Sequence, residues 1–418
     1  MSQLPLFKSA LSTLYGPLEP SSIPSPSTWT PPARSDGHKG RYLWTDAYGV
    51  LTLLTLHRET SRSAETESAT ENVYLTLAAR LIDTVHDILG RTRDGSSRLP
   101  GASDNNPLGG GLRIGKMDAE GPDGDGQYHH YLTLWMFALN RMSLASGDKT
   151  YNDMAIALAK AIHAPFFTNR GSSKPRMVWK MNSSLDEVLV GSEGNLDAVD
   201  GFVVFRLLAA TNQHFGFGSG MSDSIGGGGV LGDEIDDYHR VMERKGRHFV
   251  SSDPLDLGMT LWTMQWVANE DWAEEIVESC FERVCTFAFP LFPLYHLPIP
   301  SLPFHAKLKS GAVDDLLETS QHLSRNIKYR LAFREFGTAL GIKCMSSQDP
   351  EKERSVDMRG YADRILESWA STMEVSLGDE RRDHSTPQGM KAITRVMYAA
   401  ALVPGAFQRG YFGAEPRL

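Results

Sequence analysis

Two histidines stand side by side, His129-His130, at the head of an apolar run (YHHYLTLWMFALNRM). Two aspartates, Asp197 and Asp200, stand one helical turn apart at the head of another (LDAVDGFVVFRLL). Imidazoles and carboxylates are the side chains best suited to moving protons near neutral pH. A third carboxylate, Asp46, lies in RYLWTDAYGVLTLLTL, just before a long apolar run where nothing local needs a cap. Asp253 and Asp256 open DPLDLGMTLW, Arg334 and Glu335 open a fifth apolar segment, and a sixth begins at Gln388 with His384 just ahead of it. Burying a charge without a partner is expensive, so charges at equivalent ends of packed apolar elements must meet each other or a polar ligand. This pattern points to a polar site for a small molecule, with Asp46, Asp197, Asp200 and one of His129 and His130 as its candidate residues. Adjacent residues cannot share one helix face, and the sequence leaves open which histidine turns inward. Asp253 reads more simply as a helix cap, and for Asp197 capping and a site role stand level. Trp44, Tyr128, Trp179 and Trp262 fall near the same ends and could floor a sugar site. Arg113 or Lys116, in the glycine-rich stretch before Tyr128, could meet an anionic group.

The elements that must position these residues are read from apolar spacing and caps. Six segments are apolar on nearly all sides: 42–56, 128–144, 196–210, 254–268, 327–342 and 388–402. Between them lie amphipathic, charged helices over 71–89, 151–166, 233–245, 272–287 and 359–375, and 4–14 supplies a twelfth. Helices apolar all round are buried, and those with a polar face lie outside. The inner helices start roughly 60 to 85 residues apart, the size of a helical hairpin plus a loop. The expected fold is therefore all-α, an (α/α)6 toroid of six hairpins in inner and outer rings. Residues 1–39 form an N-terminal helix with a Pro/Ser-rich arm, and residues 40–418 a single barrel domain. Long connections over 90–127, 168–195, 290–312 and 376–387 all run from outer to inner helix, so one rim carries the binding loops. The inner-to-outer turns at 146–148 and 269–271 are tight. Asp253-Pro254 and Thr386-Pro387 mark helix starts.

Composition excludes several classes. The net charge is −9, with no clustered Lys and Arg, which argues against nucleic acid or an anionic membrane. No apolar run reaches the roughly 18–20 residues of a membrane span, and the N-terminus has no basic region followed by a long apolar one. Three cysteines without a CxxC pair suit a reducing compartment, so a cytoplasmic protein is expected. Gly110-x-x-x-x-Gly115-Lys116 is one residue short of a phosphate-binding loop. Met117 stands where a Ser or Thr would hold magnesium, and no strand precedes it. Asp118–Gly126 (DAEGPDGDG) lacks the calcium-loop register, and zinc spacings are missing. The reading needs no metal and no cofactor, only a small-molecule substrate, and it leaves the oligomeric state open.

The segments RYLWTDA, YHHYLTLW, LDAVDGFVVFRLL and DPLDLGMTLW head successive inner helices. With the inner/outer alternation from about residue 40 to 410, the chain resembles the six-hairpin glycosidase-like superfamily. That group includes unsaturated glucuronyl hydrolases and N-acylglucosamine 2-epimerases. The resemblance implies an active site in the bowl of the barrel and carbohydrate chemistry. Glucuronyl hydrolase-like members use paired aspartates across the bowl, for which Asp46 with Asp200 (or Asp197) are nearest by helix position. Epimerase-like members use histidines beside the sugar carbonyl. His129 or His130 could be one, but a partner on another inner helix is missing, since His384 precedes the last one within a loop. The leading expectation is glycoside hydrolase-type chemistry on a small saccharide or uronide, with Asp46 and Asp200 as general acid and base, assisted by His129 or His130 and Arg334. The alternatives are an isomerase, lyase or cyclase acting on a hydrophobic biosynthetic intermediate, and a non-catalytic binding or scaffold protein.

Overall fold

The computed structural model describes residues 3–63, 72–121, 123–217, 229–245, 250–288, 323, 325–378 and 391–418. The described residues are mostly helical, and the class is all-α. They fall into two compact units, Met1–Arg247 with Lys391–Leu418, and His248–Met390.

The first unit contains α1 (Leu4–Tyr15), α2 (Leu43–Ser63), α3 (Val73–Leu89), α4 (His129–Ser146), α5 (Lys149–Phe166), α6 (Asp197–Phe217), α7 (Gly232–Lys245) and, from the far end of the chain, α12 (Ala392–Leu402). Four helices form a series in which α12 packs on α2, α2 on α4 and α4 on α6. Each has a second helix behind it: α1 against α12, α3 against α2, α5 against α4 and α7 against α6. The cause is legible in α4, where residues 129–143 are almost all buried, Tyr131 excepted, so no face is left for solvent. The helix stops at Gly147, whose left-handed backbone returns its N–H to the Ser143 carbonyl. Asp148 then caps α5 by accepting the Thr150 N–H at 2.9 Å. The hairpin expected from Ser146-Gly147-Asp148 is thus closed by two residues doing two different jobs. The proline-rich segment after α1 makes three 3-10 turns and is tied to α3, where Tyr74 donates to the Leu18 carbonyl and Arg80 to that of Trp29.

Short strands, not anticipated in the loops, complete the unit: β1 (Gln127–Tyr128), β2 (Phe167–Thr168), β3 (Arg176–Met177), β4 (Lys180–Met181) and β5 (Val188–Val190). They form an antiparallel sheet of order β1-β4-β5 and a β2-β3 pair.

The second unit contains α8 (Pro254–Met264), α9 (Asp271–Ala288), α10 (Ala332–Ser346) and α11 (Glu353–Gly378). Here α9 packs on α8, α11 on α10, and α8 directly on α10. Glycines permit that approach: a Cβ on Gly258 would lie 2.1 Å from the Gly337 carbonyl oxygen, and one on Gly341 would lie 1.8 Å from that of Gly258. Asp253 caps α8 as expected, accepting the Leu255 N–H at 2.9 Å with Pro254 behind it. The expected cap at Thr386-Pro387, Gln388 and His384 lie outside the described residues, as does most of the proline-rich stretch 287–304. Among the described residues, no helix is long and apolar enough to cross a membrane.

Candidate functional site

The first turn of α4 is set by a strand pairing. Tyr128 lies opposite Lys180 and Gln127 opposite Met181, and the His129 N–H donates to the Trp179 carbonyl at 3.1 Å. This brings Tyr128 and Trp179 edge to face, with ring centroids 4.9 Å apart. Tyr131 stacks 4.6 Å from Tyr128, and its hydroxyl lies 3.0 Å from that of Tyr42 at the head of α2. Trp44, also from α2, lies 5.0 Å from Tyr131 and 4.9 Å from the His130 ring. Trp44 and His130 are buried, whereas Tyr42, Tyr128, Tyr131 and Trp179 are only partly so. The result is a partly exposed aromatic rim packed against a buried indole and imidazole.

His130 is held from α6. Its Nδ1 lies 2.5 Å from Asp200 Oδ2, and the pair is buried. A carboxylate on Nδ1 fixes the ring, so exchange of a proton with a ligand would pass through Nε2, which is itself buried. That is an acid/base arrangement with one imidazole at its centre.

His129 faces elsewhere. It is fully buried, with Nε2 2.8 Å from the Tyr238 hydroxyl of α7 and Nδ1 3.2 Å from Asp197 Oδ1. Burial, reinforced by Asp197 and neighbouring carboxylates, pushes the Tyr238 hydroxyl well above its ordinary pKa, so it stays protonated. The two histidines therefore divide the labour: His130 belongs to the aromatic rim, and His129 to the interior between α4, α6 and α7. Behind Tyr238, at a ring distance of 5.2 Å, sits His163, whose Nε2 lies 2.9 Å from Asp237.

Asp46 has a different set of partners. Its carboxylate accepts from Ser35 Oγ at 2.6 Å and, at 3.3 Å each, from Arg41 Nη1, Tyr15 Oη and the Tyr42 N–H. Burial raises its pKa above the usual carboxylate range, while Arg41, Ser35, Tyr42 and Tyr15 pull the other way. All four partners come from α1 and the segment leading into α2. This carboxylate ties the N-terminal segment to the helix, and the contacts that hold Asp200 are separate from it.

The glycine-rich stretch is built into the core. Arg113 is fully buried; its guanidinium reaches Asp125 at 2.5 Å and the carbonyls of Arg91 and Ile88 at 2.7 and 2.8 Å. Asp125 also accepts the Gly115 and Lys116 N–H groups at 2.8 and 3.2 Å. The amides that would cradle a phosphate are thus taken by a carboxylate, and the Arg113 guanidinium is paired with the same group, which Arg93 also reaches at 2.7 Å. Gln127 fastens the other side, accepting from Leu112 N at 3.0 Å and donating to the Gly110 carbonyl at 2.8 Å. Lys116 remains half-buried at the edge of this loop.

The other candidates lie in the second unit. Arg334 is paired with Asp253. Glu335 is buried, bound by Arg330 and by Trp369 Nε1 at 2.9 Å. Trp262 is a core residue, and Asp256 is half-buried on the first turn of α8. Among the described residues no group of three or more His, Cys, Asp or Glu side chains is placed to hold a metal ion.

Sequence reasoning passed over Tyr42, Tyr131 and Tyr238. The first two carried a signal, since each stands within two residues of a named candidate. Tyr238 sits in the charged stretch DEIDDYHR of an outer helix, where nothing sets it apart. Compared with known proteins, the chain matches no family model, no curated protein and no solved structure.

Proposed function

We propose that the chain is a cytoplasmic acid/base enzyme of the six-hairpin glycosidase-like type, acting on a small saccharide held at the aromatic rim, with His130 as the proton-transfer group and Asp200 as its partner. The observation that carries this reading is the 2.5 Å contact between His130 Nδ1 and Asp200 beneath Tyr128, Tyr131 and Trp179. Indole and phenol faces suit the C–H faces of a sugar ring, and their polar edges suit its hydroxyls. Closure of the six hairpins into an (α/α)6 toroid is part of the proposal. It is supported by the packing of α1 on α12, which sets the first and last α-helices of the chain against each other. The net charge of −9 supports a small-molecule partner over a nucleic acid.

Hydrolysis and isomerisation make different demands on these residues. Hydrolysis by paired aspartates would draw on Asp46, whose oxygens are engaged by Arg41, Ser35, Tyr15 and Tyr42. A single imidazole backed by a carboxylate suits proton transfer at carbon, as in an isomerase or lyase, and that chemistry is the one favoured here. The test has two stages. A thermal-shift panel of neutral sugars, uronates and apolar metabolites identifies the ligand class. Sugars that stabilise the protein are then incubated with it in heavy water and weighed by mass spectrometry. Deuterium uptake that disappears in His130→Gln supports the reading; a new reducing end without uptake favours hydrolysis. Stabilisation by apolar metabolites alone would overturn the saccharide assignment.

A further inference from the structure

The buried contacts behind His130 have a role that the proton-transfer reading does not assign. Asp200 comes from the first turn of α6, and the next residue is Gly201. A Cβ on Gly201 would lie 2.3 Å from ring carbons of Tyr238, so this turn of α6 rests directly on the tyrosine ring. The ring is clamped from its other sides by Phe205, Phe167 and His163, with centroids 4.9 to 5.2 Å away. Its hydroxyl is 2.8 Å from His129 Nε2, and His129 Nδ1 is 3.2 Å from Asp197, one turn before Asp200 on the same helix. Since the buried phenol keeps its proton, it donates to Nε2 and leaves the imidazole proton on Nδ1, at ion-pair distance from the Asp197 carboxylate but not aligned with it as a hydrogen bond.

We propose that Tyr238, His129 and Asp197 form a positioning set that fixes the first turn of α6 against α4 and so holds Asp200 on His130. The set is shielded from solvent: Tyr238 and His129 are fully buried and Asp197 nearly so. The charged and titratable groups around it are Asp197 and Asp200 of α6, Glu234, Asp237 and Lys245 of α7, and His163 of α5. Two consecutive histidines each meet a carboxylate of one neighbouring helix, and Tyr238 is the piece that sets the distance between the helices. This inference rests on the reading of His130–Asp200 as the acid/base pair.

The experiment is the titration of the His130 ring by NMR in the full chain with labelled histidine, using Tyr238→Phe, Asp200→Asn and Phe205→Leu. Thermal unfolding is measured alongside. Asp200→Asn sets the scale, because loss of the carboxylate lowers the titration midpoint of the imidazole. Tyr238→Phe removes one oxygen and keeps the ring, and it is expected to lower the midpoint by at least half that amount. Phe205→Leu loosens the same cluster without touching the hydroxyl, and is expected to lower the melting temperature but leave the midpoint in place. A wild-type midpoint in Tyr238→Phe, or an equal shift in Phe205→Leu, overturns the positioning role. If Asp200→Asn itself leaves His130 unmoved, the acid/base pair fails and the inference with it. Should Tyr238→Phe not fold, Asp197→Asn is read on the same scale with the same outcomes.

Discussion

Replacing Arg41 by methionine isolates what Asp46 does. Arg41 and Asp46 are 1% and 0% exposed, and their side chains meet at 3.3 Å. Methionine fills much of the volume of the arginine stem but leaves the carboxylate with only the neutral donors Ser35, Tyr15 and the Tyr42 N–H. Breaking a buried ion pair from one side costs about 3–5 kcal/mol, because the remaining charge stays desolvated. Arg41 also donates to the carbonyls of Gly40 and Pro32, and losing those bonds adds about 1 kcal/mol each. The two contributions differ in their pH dependence. Asp46 already binds its proton more tightly in the fold than in the unfolded chain, so its contribution to stability is largest at low pH and falls as pH rises through its folded pKa. Without Arg41 that pKa rises further, and the deficit relative to wild type grows with pH. Urea unfolding followed by circular dichroism at several pH values should give a gap of about 2 kcal/mol in acid, from the carbonyls alone. Near neutral pH the gap should widen by up to about 3–5 kcal/mol, with an unchanged denaturant slope. A gap that is flat across pH would refute the assignment of Asp46 as the buried partner of Arg41. Saccharide-induced stabilisation, by contrast, should survive in the folded variant, since none of the Arg41 contacts involves the His130 site.

Three other perturbations test separate parts of the structure. His86 accepts the Trp135 Nε1–H at 3.1 Å, and burial lowers its pKa to about 4. Its neutral form contributes up to about 3 kcal/mol, fully present above the ordinary histidine value of about 6.5 and lost as pH falls through about 4. His86→Phe should flatten that part of the stability–pH curve, and a curve of unchanged slope counts against the shift. Gly341→Ala puts a methyl 1.8 Å from the Gly258 carbonyl oxygen and should cost about 1–3 kcal/mol or more in chemical unfolding; a neutral result would mean that α8 and α10 are not in backbone contact. Trp179→Ala removes a half-buried rim residue and should weaken saccharide binding roughly tenfold, about 1.4 kcal/mol, with little change in melting temperature. Equal losses of affinity and stability would mark Trp179 as scaffold.

Most helices were legible because helical periodicity is a property of consecutive residues, although the segment expected to start at 327 opens with a 3-10 turn and becomes α-helical only at Ala332. The head of α4 was placed within one residue of its position from YHHYLTLWMFALNRM alone, and the α4–α5 turn from Gly147 and Asp148. The partners of each polar residue were not legible in the same way. Asp46 looked like a catalyst because nothing local needs a cap there, yet its partners Tyr15 and Ser35 lie 31 and 11 residues upstream. Arg113 looked available because its surroundings are glycines, but Asp125, 12 residues downstream, pairs with it. The strand pair that aims Tyr128 at Trp179 has two residues per strand, too short for any period to show. In each case the missing information was a long-range contact, which a periodic pattern does not encode.

The ambiguity between His129 and His130 dissolves for a geometric reason. Successive residues of an α-helix diverge by about 100°, whereas residues three apart diverge by about 60° and lie about 4.5 Å apart along the axis. Adjacent histidines on α4 must therefore point apart, while Asp197 and Asp200 can present nearly the same face of α6 at two heights. Two such pairs can form together at only one rotation and one height of α4 relative to α6. Shifting either helix by one residue would leave buried imidazoles facing apolar side chains and buried carboxylates without imidazoles, and both errors are expensive. In the proposed positioning role, His129 and His130 are thus parts of one constraint, in which the Tyr238–His129 hydrogen bond and the nearby Asp197 carboxylate hold the register that the His130–Asp200 pair needs. The cost of keeping four titratable groups out of water follows from that requirement, because an apolar seam between these helices would tolerate sliding by far more than a hydrogen bond to His130 allows.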